Sequence, residues 1–353
     1  MKKLLCLALA AMLCLALAAC AVAEGNWKIA ILTGTTSQGE EEFRAAERAQ
    51  KADPEHIVTD TYPDNFMAET ETTISKLIAF ASDPDVKAIV MCQAVPGAKA
   101  AFDKIRAMGR DDMLLVAGVP QEDPAVITAA ADFVLYTDEP KQGDTIMETC
   151  AKWGVDVFVH YSFPRHLAME TIAARKALLE ENVEATAPDP TGDAGVAGAQ
   201  QFILEDVPLK LKEFEGKKVA FFTTNCGMQE PLQAAILDQP NAYYPQPCCP
   251  SPYHAFPATL GLELAIGGDD TEALEQIAAK LKEHDAVDRF STWASPVAMT
   301  IIEVGVDYAK GYITGEITDR NDSEKLKELF NSKIDGAKIN NYKNADGEEF
   351  DNY

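Results

Sequence analysis

Positive charge is scarce in this chain of 353 residues. It has 31 lysines and arginines against 56 aspartates and glutamates, which gives a formal net charge of −25. A surface of that sign repels phosphate backbones, so we expect no nucleic-acid partner. Apolar residues make up 47% of the chain, which excludes wholesale disorder. The length is enough for about two domains with separate cores.

The sequence also lacks the motifs of the common enzyme classes. It contains no GxSxG, HExxH or GxxxxGK[ST] pattern and no CxxC pair. Those patterns supply an activated serine, a zinc-bound water, a phosphate cradle and a redox or metal centre. We therefore expect a protein that binds a molecule rather than one that transforms it, with no catalytic residue and no cofactor.

Long apolar runs are absent except at the start of the chain. Two lysines precede an uninterrupted apolar or small stretch at residues 4–18, which is typical of a secretory signal. Because LAAC at residues 17–20 resembles a lipoprotein cleavage site, we predict a signal peptide at 1–19 and lipid attachment at Cys20. Cleavage after the AVA at residues 21–23 is the alternative. Both predict an extracytoplasmic protein, either anchored to the cell membrane or released in soluble form.

Short apolar runs alternate with amphipathic helical stretches through the rest of the chain. The runs are apolar throughout, as parallel strands covered on both faces should be. Two consecutive sets of such units predict an α/β protein with two lobes, each a parallel sheet flanked by helices. Ligands bind beyond the carboxyl ends of such strands, so the cleft between the lobes is the expected site. The predicted strands are residues 27–32, 56–62, 86–92, 113–119, 133–136, 155–161, 183–187 and 218–223.

The same pattern predicts the domain boundaries. A serine and a proline at residues 295–296 mark the start of a last long helix, because proline is favoured at the first helical position. After Gly315 the chain turns polar. We predict a linker at 20–26, lobe one at 27–137, lobe two at 138–291, a return segment on lobe one at 292–330 and a weakly ordered tail at 331–353.

Several segments carry motifs of known families. One set consists of YTD at 136–138, FFTTN at 221–225 and FSTWASP at 290–296. With these segments the architecture resembles the type I periplasmic binding proteins, which include sugar receptors and the basic-membrane-protein nucleoside receptors. A second set consists of TGTTSQGEEE at 33–42, YPDNFM at 62–67, VHYSFPRH at 159–166 and DPTGDAG at 189–195. In these segments the chain is similar, more narrowly, to an exported bacterial family, domain of unknown function 3798.

Loops that follow the predicted strands supply the candidate ligand residues. Aromatic side chains there could stack on a planar ligand, and hydroxyl, amide, carboxylate and guanidinium groups could orient it. Alternatives stay open: Arg165 could instead pair with an aspartate, Asp193 could cap a helix, and Trp293 could lie in the core. The predicted ligand set is Thr35, Gln38, Tyr62, Phe66, Gln93, Tyr161, Phe163, Arg165, His166, Asp189, Asp193, Asn225, Gln229, Tyr253 and Trp293.

Five cysteines remain beyond Cys20, and an odd number cannot form a complete set of internal disulfides. Cys226 could pair with Cys248 or Cys249, or these thiols could form a soft-metal site with His254 or His160. The third reading is buried free thiols that pack as small apolar groups. Because no CxxC spacing is present, the sequence favours buried thiols over a metal. The five are Cys92, Cys150, Cys226, Cys248 and Cys249.

These observations predict a monomeric solute-binding lipoprotein. It would close its lobes on a nucleoside-, sugar- or amino-acid-like molecule and deliver that molecule to the permease of an ABC importer. One alternative is a ligand-sensing adaptor for a membrane signalling protein, and another is an exported hydrolase.

Overall fold

The computed structural model of the chain describes residues 26–163, 181–265, 270–343, 347–350 and 353. Helices and strands are numbered here in chain order within those ranges. Lobe one contains β1 (Lys28–Thr33), α1 (Thr36–Ala52), β2 (Ile57–Thr61), α2 (Thr70–Ser82), β3 (Val86–Cys92), α3 (Ala98–Ala107), β4 (Leu114–Gly118), α4 (Pro124–Thr128) and β5 (Phe133–Leu135).

The first sheet has the strand order β2-β1-β3-β4-β5, with every neighbouring pair parallel. Its central strands are apolar at nearly every position, and separate apolar clusters cover the two faces. Continuous runs such as residues 29–32 are therefore buried on both sides. This arrangement confirms the predicted mixed α/β class for lobe one.

Lobe two is built in the same way around a smaller sheet of order β7-β6-β8-β9, again parallel. Strand β9 has only two residues, which is too short for a periodic signal, and the sequence did not predict it. The elements are α5 (Glu139–Trp153), β6 (Val157–Ser162), β7 (Glu181–Thr186), α6 (Gly195–Glu213), β8 (Val219–Thr223), a 3₁₀ turn (Cys226–Met228), α7 (Gln229–Ile236), β9 (Ala242–Tyr243), α8 (Phe256–Leu260) and α9 (Asp270–Glu283).

Helix α10 (Val297–Thr314) leaves lobe two and packs on the first sheet. Its apolar face joins the cluster that contains β1, β3 and β4. The approach is close, because a Cβ atom added at Gly305 would lie 3.0 Å from Cγ1 of Val90, and one at Gly118 would lie 2.6 Å from Cγ2 of Ile301. Small residues at these two positions let the helix lie directly on the strands.

The chain after α10 also contacts lobe one. Helix α11 (Ser323–Lys333) contributes Leu326 and Phe330 to the same core cluster. Beyond it, β10 (Tyr342–Lys343) pairs with β11 (Glu349–Phe350), where the sequence predicted a weakly ordered tail. The backbone of Tyr353 donates to the carbonyl of Val134 on β5. No helix in the described ranges is long and apolar enough to cross a membrane.

Candidate functional site

The start of α1 forms the lobe-one side of the site. The Thr35 hydroxyl accepts from the backbone N–H of Ser37 and donates to the Asp64 carboxylate, which fixes the first turn. The helix leaves helical geometry at Gly39. Just beyond that point Glu41 and Glu42 are only 2% and 1% exposed, which is rare for adjacent acidic residues.

Lobe two supplies sulfur and imidazole from the carboxyl ends of neighbouring strands. Cys226 opens the 3₁₀ turn that follows β8, and Cys248 and Cys249 lie in the loop after β9. His254 lies just before α8. Because β8 and β9 are adjacent and parallel, the segments that follow them emerge at one edge of the sheet. The four side chains therefore meet where lobe two faces α1.

The thiols lie close together but are free. The Sγ atom of Cys226 is 3.5 Å from Sγ of Cys248 and 3.5 Å from Sγ of Cys249. A disulfide bond is about 2.05 Å long, so the alternative of a disulfide from Cys226 to Cys248 or Cys249 is not formed in this structure. The four potential ligand atoms of Cys226, Cys248, Cys249 and His254 all lie within 4.8 Å of one another.

One amide connects the two sides of the site. Nε2 of Gln93, at the end of β3, lies 3.3 Å from Oε1 of Glu42. The same nitrogen lies 3.6 Å from Sγ of Cys226 and 3.5 Å from Sγ of Cys249. Nε2 of Gln121 in turn donates to Oε1 of Gln93 at 2.7 Å, which holds the amide in this orientation.

The buried groups change each other's pKa values. Burial raises the pKa of Glu41 to about 8, and burial together with the charge of Cys226 raises the pKa of Glu42 to about 7. Hydrogen bonds from Cys248 and Cys249, helped by His254, hold the pKa of Cys226 well below its usual value. Burial alone would lower the pKa of His254, but Cys226 and Glu41 raise it to about 10. The result is a thiolate beside an imidazolium, facing carboxyl groups that resist ionisation.

A cleft of about 310 Å³ opens from this cluster between the lobes. Its lining is mainly polar and includes both signs of charge. Arg44 holds Glu47 at 2.7 Å and Glu40 at 3.7 Å on the helix surface. The lining consists of Thr36, Ser37, Gly39, Glu40 and Arg44 from α1, and Gln200, Cys226, Gly227, Glu230, His254, Ala255 and Ala258 from lobe two.

Four of the predicted ligand residues lie beside this cleft or cluster. Gln93 contacts the sulfurs, and Thr35 caps the helix that lines the cleft. Gln38 is buried and donates to the carbonyl of Asp64 at 3.3 Å. The Asn225 side chain accepts from the backbone of Gly227 at 2.8 Å, so it shapes the turn that carries Cys226.

Five of the six predicted aromatic residues lie in the lobe interiors. Tyr62 and Phe66 are 1% and 2% exposed and contact each other edge to face at 5.7 Å. Tyr161 donates its hydroxyl to Asp206 at 2.9 Å, and Phe163 is fully buried. Tyr253 donates to Asp270 at 2.9 Å. In this conformation these five rings pack in the cores and offer no open stacking surface.

The remaining predicted residues are dispersed. Both side-chain groups of Gln229 bond internally, to carbonyls of β8 and its loop and to Tyr244. Asp189 accepts from Thr191 at 2.9 Å, whereas Asp193 is exposed. Trp293 donates to Gln246 and lines a second cavity of about 460 Å³ beneath the C-terminal segment. Arg165, His166 and Cys20 lie outside the described residues.

Glu41 and Glu42 lie within one of the family motifs, at residues 33–42, but they are not among the predicted ligand residues. Acidic residues near a helix N-terminus normally face water and complement the helix dipole, so their type carried no signal of burial. The one sequence feature that indicates a role in the site is their position shortly after β1, because the segment that follows β1 lies at the sheet edge where ligands bind.

Two parallel-sheet lobes joined by a returning helix define the class, which is the type I periplasmic-binding-protein fold. A proposed transcriptional regulator from Clostridium difficile 630 has this fold, with a TM-score of 0.64 at 20% identity over 88% of this chain and 92% of that one. So does an ABC transporter periplasmic solute binding protein from Actinobacillus succinogenes 130z with bound D-allose, with a TM-score of 0.54 at 12% identity over 82% and 92% of the chains. Identities this low establish the fold alone.

Residues 27–291 match the profile of DUF3798, described as a protein of unknown function, and the chain belongs to that family. An uncharacterised protein of Treponema pallidum (strain Nichols) is 35% identical over 182 residues, which are 47% of this chain and 82% of that protein. A second protein of the same strain is 31% identical over 169 residues, 46% of this chain and 77% of that protein. The predicted family and fold are thereby confirmed.

Proposed function

We propose that this protein is an extracytoplasmic solute-binding lipoprotein, which captures a small polar molecule between its lobes and delivers it to an ABC importer. The observation that supports this best is the polar cleft, since both lobes contribute to it within a fold that solute-binding proteins share. A ligand that contacts both lobes stabilises their closed arrangement, which a membrane permease can recognise.

The cleft suggests the size and polarity of the solute. Its volume of about 310 Å³ is at the lower end of the range for small-molecule sites, which favours a single sugar, nucleoside or amino acid. Arg44 can hold an anionic or hydroxyl group, whereas Glu40 and Glu230 can accept from hydroxyls or an amine. The solved relative from Actinobacillus succinogenes carries D-allose, so monosaccharides are the first compounds to test.

Thermal shift tests the binding step. Monosaccharides, nucleosides and amino acids are added to the reduced, processed protein, and small-angle scattering follows lobe closure. One of these three classes of compound should raise the melting temperature of the protein and reduce its radius of gyration. The E230Q variant should bind at least about tenfold more weakly, as expected when a charged hydrogen bond is lost. The E275Q variant changes an exposed glutamate on α9 and should bind normally.

The result against this proposal is a folded protein that no compound stabilises and that shows no closure.

Membrane fractionation then tests the anchor, because C20A should move the protein from the membrane to the soluble fraction. Uptake of the identified solute in a deletion strain tests delivery. A ligand-sensing adaptor, the alternative, would bind the solute and leave uptake unchanged.

A further inference from the structure

Three thiols and one imidazole converge at the inner end of the cleft, and solute capture does not require them. Within the part of the chain that the structure describes, they are the one group of three or more such side chains placed to hold a metal ion. We propose that Cys226, Cys248, Cys249 and His254 bind a thiophilic metal ion, for which Zn²⁺ is the best match. This goes beyond the proposed function and does not depend on it.

The spacing of the donor atoms fits a tetrahedral site. Zn–S bonds of about 2.3 Å and Zn–N bonds of about 2.0–2.1 Å place neighbouring donors about 3.5–3.8 Å apart. Two Sγ–Sγ separations are 3.5 Å, and all four donors lie within 4.8 Å of one another. The donor separations therefore need to shorten by no more than about 1.3 Å for the four side chains to surround an ion.

The imidazole of His254 is already oriented as metal-binding histidines are. Its Nδ1 lies 2.9 Å from the backbone carbonyl of Cys249. A carbonyl oxygen can only accept, so Nδ1 carries a proton, and Nε2 becomes the metal ligand when the imidazolium loses its second proton on metal binding. Zinc-bound histidines almost always donate their second ring nitrogen to such an acceptor, which fixes both tautomer and ring orientation.

The surroundings complete the environment expected of a thiolate metal centre. Nε2 of Gln93 lies 3.6 Å from Sγ of Cys226 and 3.5 Å from Sγ of Cys249, so lobe one supplies a weak donor to the ligand sulfurs. The carboxyl group of Glu42 lies on the same side, with its Oε1 3.3 Å from that amide nitrogen. The cleft reaches Cys226 and His254, which gives an ion a path from solvent.

The donor set also indicates the kind of site. Thiolate and imidazole ligands favour Zn²⁺ and Cu⁺ over Mg²⁺ and Ca²⁺, which prefer oxygen. Four protein ligands leave no open position, which is typical of a structural zinc rather than a catalytic one. A bound ion would join the turn after β8, the loop after β9 and the start of α8, and so make the lobe-two wall of the cleft rigid.

The test begins with the processed protein, purified under a phosphine reductant and titrated with Zn²⁺ under native mass spectrometry. Equimolar binding of a single Zn²⁺ ion is expected. Co²⁺ in its place should give the sulfur-to-cobalt charge-transfer bands and the strong visible bands of a tetrahedral thiolate complex. Solute is left out of these titrations, so failure of solute binding cannot affect the result.

Alanine variants then locate the ligands. C226A, C248A, C249A and H254A should each weaken Zn²⁺ binding by more than about tenfold, the loss that even outer-shell changes can cause. C150A removes a buried thiol that is not one of the four proposed ligands, in the lobe-two cluster against which Cys248 packs, and should bind normally. Circular dichroism checks that each variant is folded.

Three results would overturn the proposal. The first is a reduced, folded wild-type chain that stays metal-free or binds Co²⁺ without the sulfur bands. The second is equal loss of binding in C150A. The third is a Cys226–Cys248 or Cys226–Cys249 disulfide, seen as a loss of two hydrogens, that persists under the reductant, because it would remove two of the four donors.

Discussion

The carboxyl edges of the two sheets have the same topology but present different donor atoms. In lobe one, helix α1 and the segment after β3 carry Glu41, Glu42 and Gln93, which place carboxyl groups and an amide against the thiol cluster. In lobe two the segments after β8 and β9 bring three thiols and an imidazole. Parallel β-α topology places loops together at one edge, and the loop residues decide what that edge can bind.

The two edges also hold charge in opposite ways. Burial raises the pKa values of Glu41 and Glu42, so lobe one tends to keep its protons. On the lobe-two edge, hydrogen bonds and His254 stabilise the Cys226 thiolate, and its charge in turn stabilises the imidazolium. Negative charge therefore concentrates on sulfur, which is the donor that soft cations prefer. The predictions below test this division between the lobes, from the largest expected effect to the smallest.

Truncating one core phenylalanine in each lobe tests whether metal binding depends on lobe two alone. Phe102 on α3 and Phe221 on β8 are both fully buried, one in each lobe. F102A and F221A should each lower the free energy of unfolding of their own lobe by about 3–5 kcal/mol, measured by urea titration followed by circular dichroism. Only F221A, on the strand that leads to Cys226, should also weaken Zn²⁺ binding. If F102A weakened Zn²⁺ binding as much as F221A does, metal binding would not be confined to lobe two.

A partly buried carboxylate in lobe one, that of Asp132, serves structure rather than binding. Asp132 accepts from Arg106 at 2.7 Å, from Arg320 at 3.0 Å and from the backbone N–H of Leu115 at 2.7 Å. D132N should lower the free energy of unfolding by about 1.5–3 kcal/mol, because hydrogen bonds to a charged group are lost. D60N breaks an exposed pair with Lys76 and should cost less than about 1 kcal/mol. Similar costs for the two variants in denaturant titrations would count against this role.

Two glycines offer a matched comparison between the lobes. A Cβ at Gly118 would lie 2.6 Å from Cγ2 of Ile301, so G118A should cost about 1–3 kcal/mol through overpacking between β4 and α10. In lobe two, a Cβ at Gly198 on α6 would meet only Cβ of Ala194, at 3.6 Å. G198A should therefore stabilise the protein by about 0.5–1 kcal/mol, since alanine is the better helix former. If the melting temperatures of both variants shifted in the same direction, the close contact between β4 and α10 would not be what makes a larger residue at position 118 unfavourable.

The sequence predicted the architecture well because long apolar runs carry a strong signal. Residues 29–32 had to be buried on both faces, and the family motifs extended that inference across both lobes. The site was harder to predict. Tyr62 and Phe66 could pack in a core or stack on a ligand with the same pattern, and the structure places them in the core. The thiol cluster depends on β9, whose two residues give no periodicity, so no spacing rule could bring Cys226 to Cys248 and Cys249.

The smallest expected effect on the metal centre comes from a contact between the lobes. Gln93 is the lobe-one residue whose amide reaches both the Glu42 carboxylate and the sulfurs of Cys226 and Cys249. Q93L keeps a similar volume and removes that donor, so we expect Zn²⁺ affinity to fall about tenfold, equal to about 1.4 kcal/mol, with the stoichiometry unchanged. Competition with a chromophoric chelator measures the affinity. Q121L, which removes the support of the amide without touching sulfur, should have a weaker effect. Unchanged affinity in Q93L would mean that lobe two alone defines the centre and that lobe closure and metal binding are independent.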